Sequence, residues 1–175
     1  EARLNAIMEA VSKTLDTAQI IEAVGYGAAR LLPVMQMTVA LADADQQGFD
    51  ILKMTMNPDS TLVTAREHRL HIDGTALART VRDGQDYLYY AGEPDATRYD
   101  DLRAWHGRGE RTSLIVPLMA GGVILGAMHL GSAEERAANI NEYRPLLKRM
   151  ANLSAVALEN ARLFNRALNL QAFNE

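Results

Sequence analysis

Five residues that could bind a small molecule lie close together in one long polar connection. Tyr99, Trp105 and His106 supply aromatic rings, and Arg108 and Arg111 supply guanidinium groups. An aromatic ring stacks on a flat ligand, and arginine binds a carboxylate or phosphate through paired hydrogen bonds. A connection this long is uncommon in a compact domain and is usually functional or mobile. We interpret it as a lid over a ligand site; the alternative is a solvated loop anchored by one aromatic side chain.

Other kinds of site are excluded or disfavoured by residue type. The absence of cysteine excludes disulfides, thiolate nucleophiles, iron–sulfur clusters, thiolate zinc sites and a thioether-linked chromophore. The four histidines are scattered without metal-ligand spacing, so a haem or metal ligand at His106 is disfavoured. No motif places a histidine as a base for Ser132. We therefore assign no catalytic residue and no metal site, and we leave the identity of any cofactor open.

The composition gives no sign of a nucleic-acid or membrane partner. The 175 residues are 48% hydrophobic and carry a net charge of −4, without the basic block that nucleic acid or an anionic membrane requires. No apolar run approaches the ~20 residues that span a bilayer, and no signal peptide opens the chain. We expect a cytoplasmic module. The sequence starts and stops inside helical patterns, so we also expect an effector domain on the same polypeptide.

The strands that must position these side chains centre on a hairpin over 112–132. Gly121-Gly122 between two apolar runs is a strong hairpin signal, because the turn needs positive φ angles. Pairing across this turn predicts one face with Leu114, Val116, Leu118, Leu125, Ala127 and His129, and another with Ser113, Ile115, Pro117, Gly126, Met128 and Leu130. Because both faces are largely apolar, we expect both to be covered.

The elements around the hairpin follow from hydrophobic periodicity and turn residues. The pattern predicts helices over 1–14 and 17–32, strands over 36–42, 49–56 and 61–70, a short helix over 75–82, a strand over 85–90, the polar connection over 91–111 and a long helix from about 141 onward. The predicted fold is α+β: an antiparallel sheet of five to six strands, with terminal helices on one face and the short helix and connection on the other.

The walls of a pocket are expected on the face of the sheet beneath the polar connection. We assign to that face Val39, Leu41, Ser113, Ile115, Met128 and Leu130. The hydroxyl of Ser113 on an apolar wall needs a hydrogen-bond partner, which is either a ligand or a backbone carbonyl. The alternative is that these six side chains are simply core.

The last helix carries an a/d heptad pattern, in which Tyr143, Met150, Ala157 and Phe164 repeat every seven residues. We predict a homodimer seam formed by Leu4, Val11, Tyr143, Met150, Leu153, Ala157, Asn160 and Phe164. A second stripe would cover the sheet, and it consists of Leu147, Ser154, Ala161 and Leu168. The alternative is packing within the protomer, and we favour a mixture in which the part beyond Leu158 is intermolecular.

The order of these elements resembles the GAF domain family. The resemblance rests on TSLIVPL at 112–118, GVILGAM at 122–128 and VALENARLF at 156–164, with smaller matches at 14–16 and 74–78. It covers nearly the whole chain. It implies a single GAF-like domain over 1–175, in which 1–15 and about 159–175 are flanking signalling helices.

This resemblance implies a sensory module of a bacterial signalling protein rather than an enzyme. GAF domains bind small molecules between the sheet and its cover, among them cyclic nucleotides, bilins, haem and amino or keto acids. They usually precede an effector such as a histidine kinase, a diguanylate cyclase or a transcription activator, into which the last helix continues. The alternative is a ligand-free dimerisation or linker module.

Two departures from the family narrow these expectations. Phytochrome-type relatives attach a bilin through cysteine, which this chain lacks, so a covalent bilin is excluded. The chain has no Asn-Lys pair and therefore no clear match to the Asn-Lys-Phe-Asp-Glu signature of cyclic-nucleotide-binding relatives. A few relatives reduce free methionine sulfoxide, but that chemistry uses cysteines. An unknown small molecule, or none, remains the expectation.

Overall fold

The computed structural model describes residues 17–43 and 47–174. The helices are α1 (Thr17–Leu31), α2 (Ala76–Asp83), α3 (Asp100–Gly107), α4 (Ala138–Glu142) and α5 (Arg144–Asn174), and a 3-10 turn covers Pro94–Thr97. The strands are β1 (Val34–Ala42), β2 (Phe49–Met56), β3 (Leu62–Arg69), β4 (Tyr87–Tyr90), β5 (Thr112–Ala120) and β6 (Val123–Ser132). The predicted helix over 1–14, with the seam residues Leu4 and Val11, lies outside the described residues.

Six antiparallel strands form one sheet in the order β3-β2-β1-β6-β5-β4. α1 and α5 pack on one side, which we call the helix face. α2, the 3-10 turn and α3 pack on the other side, which we call the cover face. Each face has its own buried apolar cluster, because the central strands direct apolar side chains both ways. The α+β prediction, with one antiparallel sheet between two layers of helices, is confirmed.

A β-bulge near the turn of the β5–β6 hairpin changes which side chains share a face. Met119 pairs with Ile124, but Leu118 pairs with Gly126, so Leu125 is an extra residue in β6. Since side chains alternate along a strand, one extra residue moves every later side chain to the opposite face. The predicted pairing contains no bulge, and it is therefore wrong for the part of β6 that follows Leu125.

Four of the predicted pocket walls lie on the helix face as a result. They pack in its buried cluster, and they are Val39, Leu41, Met128 and Leu130. Paired residues of neighbouring strands share a face of the sheet, and Val39 of β1 lies opposite Met128 of β6. Their assignment to the face beneath the connection is wrong for this reason, whereas Ile115 packs in the cluster of the cover face.

Much of the polar connection is helical rather than a loop. α3 begins with two aspartates, which favour a helix N-terminus, and it buries Leu102 and Trp105. One of these aspartates, Asp101, accepts hydrogen bonds from the backbone N–H groups of Ala76 (2.8 Å) and Leu77 (3.1 Å). These N–H groups belong to the first turn of α2 and have no partner within that helix. α2 and α3 therefore hold each other in place over the sheet.

The helix α5 is 31 residues long and packs one stripe against the sheet. The fully buried side chains of this stripe are Leu147, Met150, Ala151, Ser154, Ala155, Leu158 and Ala161. Met150 is only 1% exposed, so its assignment to a seam between protomers is wrong, because it packs inside its own protomer. Tyr143 and Ala157 are partly buried against the same cluster.

A different stripe of α5 faces solvent. It consists of Leu153, Val156, Asn160, Leu163, Ala167 and Leu170, all exposed, at alternating spacings of three and four residues. Phe164 lies beside this stripe and is 45% exposed. The exposed heptad pattern is therefore rotated around the helix from the predicted one. Within the described ranges, no helix combines the length and the apolar character that crossing a membrane requires.

Candidate functional site

A buried pair of ionisable side chains lies on the cover face. Glu110 immediately precedes β5, and His129 lies in β6. The Glu110 Oε2 and His129 Nε2 atoms are 2.8 Å apart, and neither side chain has exposed surface. A buried carboxylate requires a compensating charge or hydrogen bonds, and the charge and hydrogen bond of His129 both lower the pKa of Glu110. The cluster is therefore a charged centre inside an otherwise apolar layer.

Glu110 accepts two further hydrogen bonds. The Gln36 Nε2 atom donates to Oε1 at 2.8 Å, and the Ser113 hydroxyl donates to Oε2. Burial alone raises the pKa of Glu110, but the charge and hydrogen bond of His129, with those of the other donors, hold this pKa below its usual range. Gly131 makes room for the carboxylate, because a Cβ at that position would overlap it. The carboxylate is thus held ionised in a fixed position.

The imidazole of His129 is fixed at both nitrogens. Nε2 donates to Glu110, and Nδ1 lies 3.2 Å from the Thr38 hydroxyl on the neighbouring strand. The Trp105 indole lies flat on this imidazole, with ring centroids 3.5 Å apart and an interplanar angle of 1°. Parallel contact between an indole and a cationic ring combines stacking with cation–π attraction. Trp105, which is 5% exposed, is therefore held to the sheet by the buried pair.

A chain of hydrogen bonds leads from this pair towards the surface. His106 is partly buried in α3, and its Nε2 lies 3.0 Å from the Ser113 hydroxyl, which donates to Glu110. Burial lowers the pKa of His106, and the negative charge of Glu110 opposes that effect in part. The hydroxyl of Ser113 has a side-chain partner here, so neither of the two partners predicted for it, a ligand or a backbone carbonyl, is the one observed.

The predicted site residues divide into three groups. Trp105, His106, Ser113 and Ile115 converge on the cover face at the buried pair. Tyr99 lies at the margin of this layer, with its ring 5.9 Å from that of Tyr89. Arg108 and Arg111 are exposed, and neither side chain is hydrogen-bonded or ion-paired to the described Glu110 or His129 side chains. Val39 and Leu41 line a different cleft, of about 790 Å³, between α5 and the β1–β3 side of the helix face.

The residues at the centre of the site were missed by the sequence reasoning. They are Gln36, Thr38, Glu110 and His129. A histidine inside an apolar strand was a signal, because a buried polar side chain needs a partner. The unbulged pairing placed His129 on the wrong face, which hid its proximity to Ser113. Among the described residues, no group of three or more His, Asp or Glu side chains has the geometry of a metal site.

Comparison with known families and structures gives a consistent result. The family model described as "GAF domain" matches residues 9–159. The GAF domain of a two-component sensor histidine kinase from Bacillus halodurans superposes with a TM-score of 0.65 at 11% identity, over 87% of this chain and 99% of that chain. The GAF domain of an Acinetobacter phosphoenolpyruvate-protein phosphotransferase gives 0.64 at 13% identity, over 93% of each chain.

A free methionine-R-sulfoxide reductase from Neisseria meningitidis, solved in complex with its substrate, gives 0.63 at 13% identity, over 91% of this chain and 88% of that chain. At these identities the likeness concerns the fold alone. The search of curated proteins found no match.

Proposed function

The chain belongs to the GAF domain family, and from that premise we propose that it is the sensory domain of a bacterial signal transduction protein. A small molecule binds between the sheet and the cover formed by α2, the 3-10 turn and α3. The terminal helices pass the change to an effector on the same polypeptide, such as a histidine kinase, a diguanylate cyclase or a transcription activator. We place the protein in the cytoplasm.

The observation that carries this proposal is the buried Glu110–His129 pair beneath the cover. Replacing a buried ion pair by apolar residues is often neutral or stabilising. Such a pair is therefore a poor device for stability alone, and perturbed ionisable groups cluster at functional sites. Its position between the sheet and α3 puts it where a ligand under the cover would lie.

The strand β6 offers a short path from the site to the helices. His129 faces the cover, while its neighbours Met128 and Leu130 pack in the cluster that includes α1 and α5. Because the interior is closely packed, a displacement of β6 on the cover side shifts the surface on which α5 rests. We propose that this displacement reaches the effector as a rotation or shift of α5.

We propose a homodimer that forms through the exposed stripe of α5. Leu153, Val156, Leu163 and Leu170 are each between 41% and 60% exposed at heptad spacing, which is the pattern of a coiled-coil seam. Asn160 at a core position of this seam would fix its register. Of the seam residues predicted from the sequence, Leu153 and Asn160 belong to this stripe.

A regulatory role is favoured over catalysis. The chain has no cysteine, and the reductase chemistry found in some relatives with this fold uses cysteines. The Glu110 carboxylate and both nitrogens of His129 already have protein partners, so no nucleophile or base in the pair is free to act. We therefore propose that the cluster binds or reports rather than reacts.

One observation favours a second candidate, a ligand-free dimerisation module. Trp105 fills the space against His129, so that the layer beneath the cover is packed with the protein's own side chains. In that case the buried pair and Trp105 would only hold the cover in place. The two candidates differ in whether the cover opens to admit a ligand.

Native mass spectrometry of the freshly purified chain, with an absorption spectrum, distinguishes the two candidates. We expect added mass that is lost on denaturation, either as purified or after incubation with a metabolite extract. We also expect slower amide exchange over 94–111 in the occupied protein. Phe164→Glu, on α5, is the control and should bind the same mass. No added mass and unchanged exchange would refute ligand binding and leave the dimerisation module.

A further inference from the structure

We propose that the ligand of this site is a planar, electron-rich aromatic ring that replaces the Trp105 indole on His129. This inference rests on the proposed ligand-binding function and names its chemical class. In the structure described above, the Trp105 indole of the protein itself occupies this site. The ligand is expected to share the properties that make this indole fit.

The first property is flatness. The Trp105 and His129 rings are parallel to within 1° at a centroid distance of 3.5 Å, which is van der Waals thickness for two aromatic rings. Ala40 and Ala127 lie opposite each other on the same face of the sheet and are fully buried. Both pack in the same buried cluster as Trp105, and their small side chains leave depth on this face of the sheet. A ring of similar thickness fits this space, whereas a saturated ring does not.

The second property is electron richness. The His129 Nε2 atom lies 2.8 Å from the Glu110 carboxylate, and the positive charge of His129 lowers the pKa of Glu110, so the imidazole is the positive member of the pair. A cationic ring attracts the negative face of an electron-rich ring and repels a cationic or electron-poor one. An indole or a similar bicyclic ring is favoured, and a pyridinium ring is disfavoured.

The third observation concerns which partner moves. His129 is fixed through Thr38 on β1 and through Glu110, which in turn is held by Gln36 on β1 and Ser113 on β5. Trp105 lies on α3, a helix of eight residues, and Gly109 just beyond that helix has a φ of 106°. Short helices between irregular segments open at lower free energy than the central strands of a sheet. We therefore expect the His129 imidazole to keep its position on the sheet while the Trp105 indole moves away from it.

The experiment uses indole as the probe, with 1-methylnicotinamide, a pyridinium, as a planar cationic ring and cyclohexanol as a saturated ring. Trp105→Ala removes the internal occupant. We expect this variant to bind indole about tenfold or more tightly than the parent chain, because no bound ring must first be displaced. Calorimetry measures the affinities, and indole should raise the unfolding temperature of the variant. If the Trp105→Ala variant does not fold, the Trp105→Leu variant is used in its place.

The parent chain must also exchange its own ring for the probe. Trp105 is the only tryptophan, so incorporation of 5-fluorotryptophan gives one fluorine resonance that reports this side chain alone. Indole should shift that resonance towards its position in the unfolded chain, and the two other probes should not. Phe164→Ala, which removes an exposed aromatic side chain far from the site, should leave the response unchanged.

Three results would overturn the inference. In the first, the Trp105 variant binds all three probes equally, which would mean a nonspecific apolar hole. In the second, it binds none of them. In the third, native mass spectrometry of the parent chain finds a ligand of another class that leaves the fluorine resonance unmoved; the sensory function would then stand while this inference fails. If the parent chain binds no compound at all, both proposals fail together.

Discussion

Removing one member of the Glu110–His129 pair should destabilise the protein more than removing both. Both side chains have no exposed surface, so Glu110→Met leaves a buried imidazole without its acceptor, and His129→Leu leaves a buried carboxylate without its counter-charge. Breaking a buried pair in this way costs about 3–5 kcal/mol. For a chain of this length each single variant should therefore lose roughly 6–20 °C in unfolding temperature.

The double variant should recover part of that loss. It removes the uncompensated charge, and the remaining cost comes from the hydrogen bonds lost by Gln36, Ser113 and Thr38, at about 0.5–1 kcal/mol each. We expect the double variant to cost about 2 kcal/mol, well below the sum of the single costs, which corresponds to a coupling of at least about 3 kcal/mol. Urea denaturation followed by circular dichroism measures all four proteins.

An exposed ion pair provides the control. The Lys53 Nζ and Glu67 Oε1 atoms are 3.0 Å apart on neighbouring strands, with both side chains 43% exposed. Glu67→Met should cost less than about 1 kcal/mol, because water screens the pair. Additive single costs at Glu110 and His129, or single costs as small as that at Glu67, would show that the buried pair carries no electrostatic coupling and would refute the reasoning.

Three further predictions follow from the geometry. Burial holds the pKa of His106 below the ordinary histidine value of about 6.5. The unfolded chain therefore binds the extra proton first, and the free energy of unfolding should fall as the pH drops below about 6.5; His106→Gln should reduce this slope in urea titrations at several pH values. Gly131→Ala should unfold the protein or lower its unfolding temperature strongly in a thermal melt, because the new Cβ would overlap the buried carboxylate. Leu163→Glu on the exposed stripe should produce a folded monomer, whereas Met150→Glu should unfold the protomer, as measured by analytical ultracentrifugation and circular dichroism.

Each of these predictions has its own contrary outcome. Burial also raises the pKa of Asp101, so protonation of that carboxyl at low pH stabilises the folded protein and opposes the effect of His106. If the slope of the unfolding free energy against pH is unchanged in His106→Gln, His106 is not the source of the effect. Gly107→Ala is the control for Gly131→Ala, since a Cβ added at Gly107 has nothing within 4 Å, and equal damage at both positions would show that crowding of the Glu110 carboxylate is not the cause. A dimer that persists in Leu163→Glu would contradict the seam.

The sequence predicts the layers well because their signals are local and repeated. Apolar residues at helical spacing identify α1 and α5, and the Gly121-Gly122 turn identifies the hairpin. α3 is less visible, since eight residues with two inward side chains, Leu102 and Trp105, give too short a pattern to separate from a loop. Its position depends on Asp101 meeting the first turn of α2, which is a tertiary contact and leaves no periodic signal.

The site itself is harder to predict because it depends on which face of the sheet each side chain of β6 takes. Trp105, His106 and Ser113 are found by residue type and by their place near the cover. Glu110 and His129 are 19 positions apart and meet only when the extra residue at Leu125 is counted. Bulges arise from side-chain and backbone crowding that hydrophobic alternation does not encode, so the unbulged pairing is the natural one to predict.

The same bulge sets a rule for insertions and deletions in this hairpin. Deleting Leu125 alone would restore the uninterrupted ladder without turning His129, because Gly126 already pairs with Leu118 and His129 with Ile115. One residue fewer in this part of β6 can therefore be absorbed by loss of the bulge, whereas one residue more would turn every later side chain to the opposite face unless a second bulge formed. A comparison of this chain with its relatives should therefore find one-residue deletions between the Gly121-Gly122 turn and His129 tolerated more often than one-residue insertions.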